Sequence, residues 1–285
     1  MSNYSEKNFT NPDGLRQYYR DYNQAGPDAP VLLCLPGLTR NSRDYAEVAD
    51  HIAKSCRVIV ADQRGRGLSD WDPDPTRYRP DVYVSDMMAL LAHIGVSKII
   101  AFGTSLGGLM TFMMAAMHPG TLVGAVVNDI GPEVDPAGVN RIKSFVGKMA
   151  PPKTWAEAIA ASKATSRNAF PKFDDDDWLW LAKKLYTEKG GQLLADYDPA
   201  ISTNFDATDT ETPPDLWPVF DLSANIPVVV LRGALSDILS AATLEKMAAR
   251  HTDLTPVTVP DKGHTPLMTE PECLVAIDAL VEKCR

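Results

Sequence analysis

Six short strand-like runs recur along this chain, each followed by a turn or a helix-like stretch, and this alternation restricts the fold more than any other feature. They are "VLLCL" (31–35), "RVIVAD" (57–62), "KIIAFG" (98–103), "VGAVVND" (123–129), "IPVVVLRG" (226–233) and "TPVTVP" (255–260). Runs with no polar alternation suit strands covered on both faces, as in a parallel sheet. Helical periods fill the gaps at 43–55, 82–95, 106–118, 241–250 and 271–284. Strand, helix, strand is the pattern of right-handed crossover units. The expectation is an α/β fold with a mostly parallel central sheet flanked by helices. At the start, "EKNFT" and "LRQYYRDY" flank Asn11-Pro12-Asp13-Gly14, whose turn chemistry predicts a hairpin.

The alternation stops after Asp129 and resumes at residue 226. Between Glu133 and Pro218 the character changes: four of the five tryptophans lie here (Trp155, Trp178, Trp180, Trp217), with an Asp174–Asp177 run and helical periods without strand signals. This reads as a helical cap, residues 133–218, inserted into one core domain formed by 1–132 and 219–285. The four aspartates read as a solvated helix start before "WLWLAKKL". Trp178 and Trp180 are expected in the cap's own core, and Trp155 is a candidate for touching substrate.

With 45% apolar and 23% charged residues, the 285-residue chain has the balance of a globular protein. Its net charge of -9 argues against nucleic acid or an anionic membrane as partner and leaves a small molecule, acting on a monomer or homodimer. The polar N-terminus lacks the apolar segment of a secretion signal, so a cytoplasmic location is expected. Cys34, Cys56, Cys273 and Cys284 are scattered in apolar segments and read as reduced thiols. Gly65-Arg66-Gly67 begins like a dinucleotide fingerprint, but Asp70 stands where its third glycine belongs. No cofactor and no metal are expected.

Chemistry enters at "AFGTSLGGLM" (101–110), where Gly103-Thr104-Ser105-Leu106-Gly107 falls between a strand and a helix. A Gly-x-Ser-x-Gly there is the arrangement of a nucleophile elbow, which presents a serine hydroxyl at the carboxyl end of the sheet. Such a hydroxyl needs a base, and histidine suits neutral pH. His51, His93, His118 and His251 fall within or at the ends of helices. His264, in the loop "DKGHTP" after the last strand, lies on the same edge as Ser105. A carboxylate must orient the imidazole. Asp237, just past the strand ending at Gly233, is the favoured acid, with Asp129 as rival. The N–H groups of Leu106 and of Leu38, in the Pro36-Gly37-Leu38 turn, are expected to form the oxyanion hole.

The stretches "LCLPGLTRNSRDY", "DQRGRGLSD", "GTSLGG", "LRGALSD" and "KGHTP" resemble the α/β-hydrolase superfamily, in its cap-bearing branch of esterases and carbon–carbon bond hydrolases. The resemblance covers about half the chain. It implies a Ser-His-Asp hydrolase of small to medium carboxylic esters. Arg40 and Asn41 near the oxyanion loop keep a second reading open, hydrolysis of a carbon–carbon bond in a ring-cleavage dienoate. A lactonase, a perhydrolase, or a silent binding protein on the same scaffold are the other readings. Arg40 and Trp155 are the expected substrate-side residues. One departure stands out: many relatives carry histidine before the oxyanion-loop glycine, where this chain has Pro36, so a differently braced loop is expected.

Overall fold

The computed structural model describes residues 3–203 and 215–285. The predicted hairpin is β1 (Ser5–Thr10) and β2 (Arg16–Tyr22), paired antiparallel. The apolar runs form β3 (Val31–Leu35), β4 (Arg57–Ala61), β5 (Ile99–Thr104) and β6 (Leu122–Asn128). Two more, named in chain order after the cap hairpin described below, are β9 (Val228–Gly233) and β10 (Leu254–Val259). All lie in one eight-stranded sheet of order β1-β2-β4-β3-β5-β6-β9-β10, parallel from β4 to β10. The period of two along each strand sends successive side chains to opposite layers. Leu32 and Cys34 of β3 join one buried cluster, and Leu33 and Leu35 join the other.

The chain steps from β3 outward to β4 and then crosses back to β5 on the other side of β3. This reversal opens a crevice at the carboxyl ends of β3 and β5, where open α/β sheets bind ligands. Residues 36–38 leave β3 into that crevice, and Ser105 leaves β5 into it. The flanking helices of the first half are α1 (Ala46–Ile52), α2 (Pro80–His93) and α3 (Leu106–Met117). Those of the second half are α7 (Trp217–Asp221), α8 (Ala241–Arg250) and α9 (Pro271–Lys283). Cys34, Cys56 and Cys273 are buried free thiols, and burial pushes the Cys56 thiol up to about 11.

Between β6 and β9 lie α4 (Pro136–Phe145), α5 (Trp155–Ser166) and α6 (Asp175–Leu185). Part of the predicted insertion, residues 204–214, lies outside the described residues. Asp174 caps α6 by accepting from Asp177 N, while the Asp177 carboxylate accepts from Asp174 N, so the acidic run serves a helix start. The insertion is not purely helical. A hairpin, β7 (Tyr186–Lys189) and β8 (Gln192–Ala195), follows α6. The Gly65–Gly67 loop ties this region to the core: Asp198 N donates to Gly65 O at 2.7 Å and Gly67 N to Asp196 O at 3.0 Å.

Candidate active site

Ser105 sits between β5 and α3 with φ 52° and ψ −113°, a left-handed backbone that a non-glycine residue adopts at a cost of roughly 1–3 kcal/mol. Its neighbours hold it there. Ser105 N donates to Asn128 O on β6, and its own carbonyl accepts from Gly108 N and Leu109 N. The turn is possible because α3 passes against β3: a Cβ on Gly107 would lie 1.9 Å from Leu35 O. The strain therefore serves to lift the hydroxyl above the sheet, in front of the positive end of a 12-residue helix.

His264 meets it from the loop after β10. Its Nε2 lies 2.9 Å from Ser105 Oγ, and its Nδ1 lies 2.7 Å from Asp129 Oδ2. A carboxylate only accepts, so Nδ1 carries the proton and Nε2 is left to accept from the serine hydroxyl. Asp129 immediately follows β6 and is completely buried, with its carboxylate saturated by donors. Gly233 N donates to Oδ1 at 2.8 Å, and Ser236 Oγ donates to Oδ2 at 2.6 Å. The hydrogen bonds to a fixed anion orient the imidazole and strengthen one another away from solvent.

This corrects the expectation for the acid. Asp237 does not bond His264; it forms a bidentate pair with Arg141 of α4, at 2.5 Å to Nε and 2.9 Å to Nη2. Burial pushes its carboxyl up, but the Arg141 hydrogen bonds and charge outweigh that and hold it below the ordinary carboxylate range. The physical reason is reach. Asp129 stands just past the end of its strand, within 2.7 Å of the imidazole, whereas Asp237 lies four residues past β9 and is held by Arg141 of α4. Ser236, which supports the acid instead, was not singled out from the sequence. Its place in the "ALSD" loop beside Asp237 was the available signal.

Leu38 lines the cavity above Ser105, and Leu106 opens α3. Among the described residues, the N–H groups of Leu38 and Leu106 have no protein acceptor. The Pro36-Gly37-Leu38 turn is braced from below. The buried Arg66 donates from Nε to Leu38 O at 2.8 Å, and Gln63 donates to Pro36 O at 3.2 Å. Arg66 itself stacks over the Tyr83 ring. A guanidinium and an amide thus hold the loop in which Pro36 stands.

The cavity over Ser105 encloses about 170 Å³. Its walls are mainly apolar, with Ile142 and Phe145 of α4, Phe170, Leu181 and Leu185 from the rest of the segment between β6 and β9, and Leu267 and Met268 near His264 in sequence. Arg40 also lines it, clasped by Asp44, while Asn41 turns away beneath the cap to Asp196. Trp155 is not among the lining residues, a correction. It opens α5 facing the hairpin, where its indole N–H donates to Glu188 at 3.2 Å. Trp178 packs with Phe170 and Phe173 in the apolar cluster of this region, and Trp180 packs against the same cluster, both as expected, but Trp180 also lines the cavity, its N–H bonded to Glu47.

A strand-serine-helix turn at a sheet switch point, with an imidazole and a buried carboxylate in line, defines a class, and the comparisons agree on it. The chain belongs to the alpha/beta hydrolase fold family, whose model matches residues 30–271. It is 34% identical over 270 residues, 91% of each chain, to a 3-hydroxybutyrate-oligomer hydrolase of Cupriavidus necator. A 2-(acetamidomethylene)succinate hydrolase of Mesorhizobium japonicum is 28% identical over 243 residues, 85% of this chain and 84% of the other. In structure it is similar to an alpha/beta hydrolase from Novosphingobium aromaticivorans, at TM-score 0.94 and 43% identity over 99% of both chains. Among the described residues no helix is long and apolar enough to cross a membrane.

Proposed function

We propose that this hydrolase cleaves carboxylic esters of small to medium size through an acyl-enzyme, with Ser105, His264 and Asp129 as its triad. The observation that carries the reading is the unbroken hydrogen-bonded line from Ser105 Oγ through His264 to Asp129 at the floor of a covered cavity. His264 Nε2 takes the serine proton as Oγ attacks the ester carbonyl. The imidazolium is held by Asp129, which stays ionised. The oxyanion is received by the N–H groups of Leu38 and Leu106, aided by the α3 terminus. Collapse of the tetrahedral species breaks the carbon–oxygen bond, and His264 returns the proton to the departing alcohol. Water, deprotonated by the same nitrogen, then attacks the acyl-enzyme. The acid leaves and Ser105 regains its proton, so ester and water become acid and alcohol.

Size supports the choice of substrate. At roughly 10–15 Å³ of such space per water-sized group, the cavity takes on the order of a dozen non-hydrogen atoms. The 3-hydroxybutyrate-oligomer hydrolase points to the same chemistry, since an oligomer of a hydroxy acid is joined by carboxylic esters. Short esters of hydroxy acids are therefore the preferred substrate class. The test is a panel of p-nitrophenyl esters of graded acyl length, set beside the 3-hydroxybutyrate dimer and a ring-cleavage dienoate. Turnover of the short esters and the dimer, abolished in Ser105→Ala, is expected. Cleavage of the dienoate with no ester turned over would overturn the reading in favour of carbon–carbon hydrolysis.

A further inference from the structure

Among the described residues, four side chains of Arg, Lys and Asp, three of them cations, line a mainly apolar cavity, and their surroundings differ. Asp44, which clasps Arg40, lines the cavity too, so that pair brings in no net charge. Lys184 is occupied elsewhere: Nζ donates to Glu47 and to Arg43 O and lies 4.2 Å from the centre of the Trp180 ring. Arg141 is different. It lines the cavity while its partner Asp237 does not, so this pair, unlike Arg40 and Asp44, brings a cation to the wall without its counter-charge. Of five guanidinium N–H groups, two go to Asp237 and one makes a long contact of 3.4 Å to Thr165 O. Among the described residues, two donors are left on a fork that is already held in place.

The holding is built into the backbone. Helix α4 lies so close to the Asp237 loop that a Cβ on Gly138 would sit 2.1 Å from Asp237 O, and Asp135 N donates to Ile238 O at 2.9 Å. About a third of the Arg141 side chain is exposed, so this lining residue is also in reach of solvent. Partial exposure lets an incoming anion keep part of its hydration while gaining a charge-assisted bond, so binding it there avoids the penalty of a fully buried ion pair.

We propose that Arg141 receives a free carboxylate on the leaving-alcohol side of the substrate, so that the enzyme selects ester acids over neutral esters. The proposal rests on the ester-hydrolase reading above. In the dimer of 3-hydroxybutyrate the departing alcohol carries that carboxylate, and Ser105 would retain the uncharged hydroxyacyl group.

The experiment compares kcat/KM for the 3-hydroxybutyrate dimer and for its terminal carboxamide, which is nearly isosteric and uncharged. Wild type should prefer the acid by roughly ten- to hundredfold, the worth of one hydrogen-bonded charge contact. In Arg141→Gln that preference should fall to near one, chiefly through KM, and Arg141→Lys should restore part of it. Equal rates on acid and amide in wild type overturn the assignment without any variant. An Arg141→Gln protein that slows both substrates equally does the same, because it marks a purely structural residue. If wild type cleaves p-nitrophenyl esters but shows no acid preference, only the Arg141 assignment falls. If it cleaves no ester at all, the ester reading falls with it.

Discussion

Asp129 and Asp237 follow neighbouring parallel strands on the same edge of one sheet, and they have opposite surroundings. Asp129 is sealed at the strand end, where a backbone amide, a hydroxyl and an imidazole converge on it. Asp237 is half-exposed and engaged by the guanidinium of Arg141 on α4. One carboxylate bonds the imidazole beside Ser105, and the other bonds a guanidinium of the cavity wall. The difference teaches that position after a strand does not assign a role. Burial and the donors within reach do.

Four substitutions sharpen or break that contrast. The largest effect is expected from Asp129→Asn, which keeps the shape but favours the wrong imidazole tautomer; kcat on a short ester should fall by about 10⁴, as amide replacement of a triad acid does. Steady-state kinetics check this, and a loss under tenfold would return Asp129 to the background. Next comes Ser236→Ala, which removes one donor to a buried charge at a cost of about 1.5–3 kcal/mol. That predicts a ten- to hundredfold lower kcat with little change in KM. Gly138→Ala should lift α4 from the Asp237 loop and lower stability by about 1–2 kcal/mol, measured by urea unfolding, because no neighbouring backbone can yield.

The smallest effect is electrostatic. The folded-state value of Asp237 lies below that of the unfolded chain, so its stabilising share is complete above about pH 4 and declines as pH falls through the lower folded value. With the side chain 39% exposed, that share is screened to less than about 1 kcal/mol. The difference in melting temperature between wild type and Asp237→Asn should be constant above pH 5 and shrink toward pH 3. A difference that grows on acidification would contradict the pairing.

The middle of the sheet was legible because β3, β4, β5, β6 and β9 are buried on both faces and read as nearly unbroken apolar runs. Ser105 and His264 were legible for a related reason, each following a strand on the same edge with glycine beside it. The acid was not. Asp129 and Asp237 both satisfy the chain order serine, acid, histidine, and what separates them is Arg141, 96 residues away from Asp237 in sequence. The β7–β8 hairpin carried a readable signal in Gly190-Gly191, both with positive φ, between "YTEK" and "QLLA". The surrounding tryptophans and helical periods masked it. Whether Trp155 or Trp180 faces the cavity depends on how α5 and α6 are rotated against each other, which periodicity within either helix does not record.

The most direct test needs no knowledge of the substrate. A fluorophosphonate reports how readily the Ser105 hydroxyl is activated, so its second-order labelling rate can be compared in wild type, Asp129→Asn and Asp237→Asn, with mass spectrometry locating the adduct. The account expects the label on Ser105, slowed by orders of magnitude in Asp129→Asn and by less than about tenfold in Asp237→Asn. Rates in the reverse order, or an adduct on another residue, would contradict it.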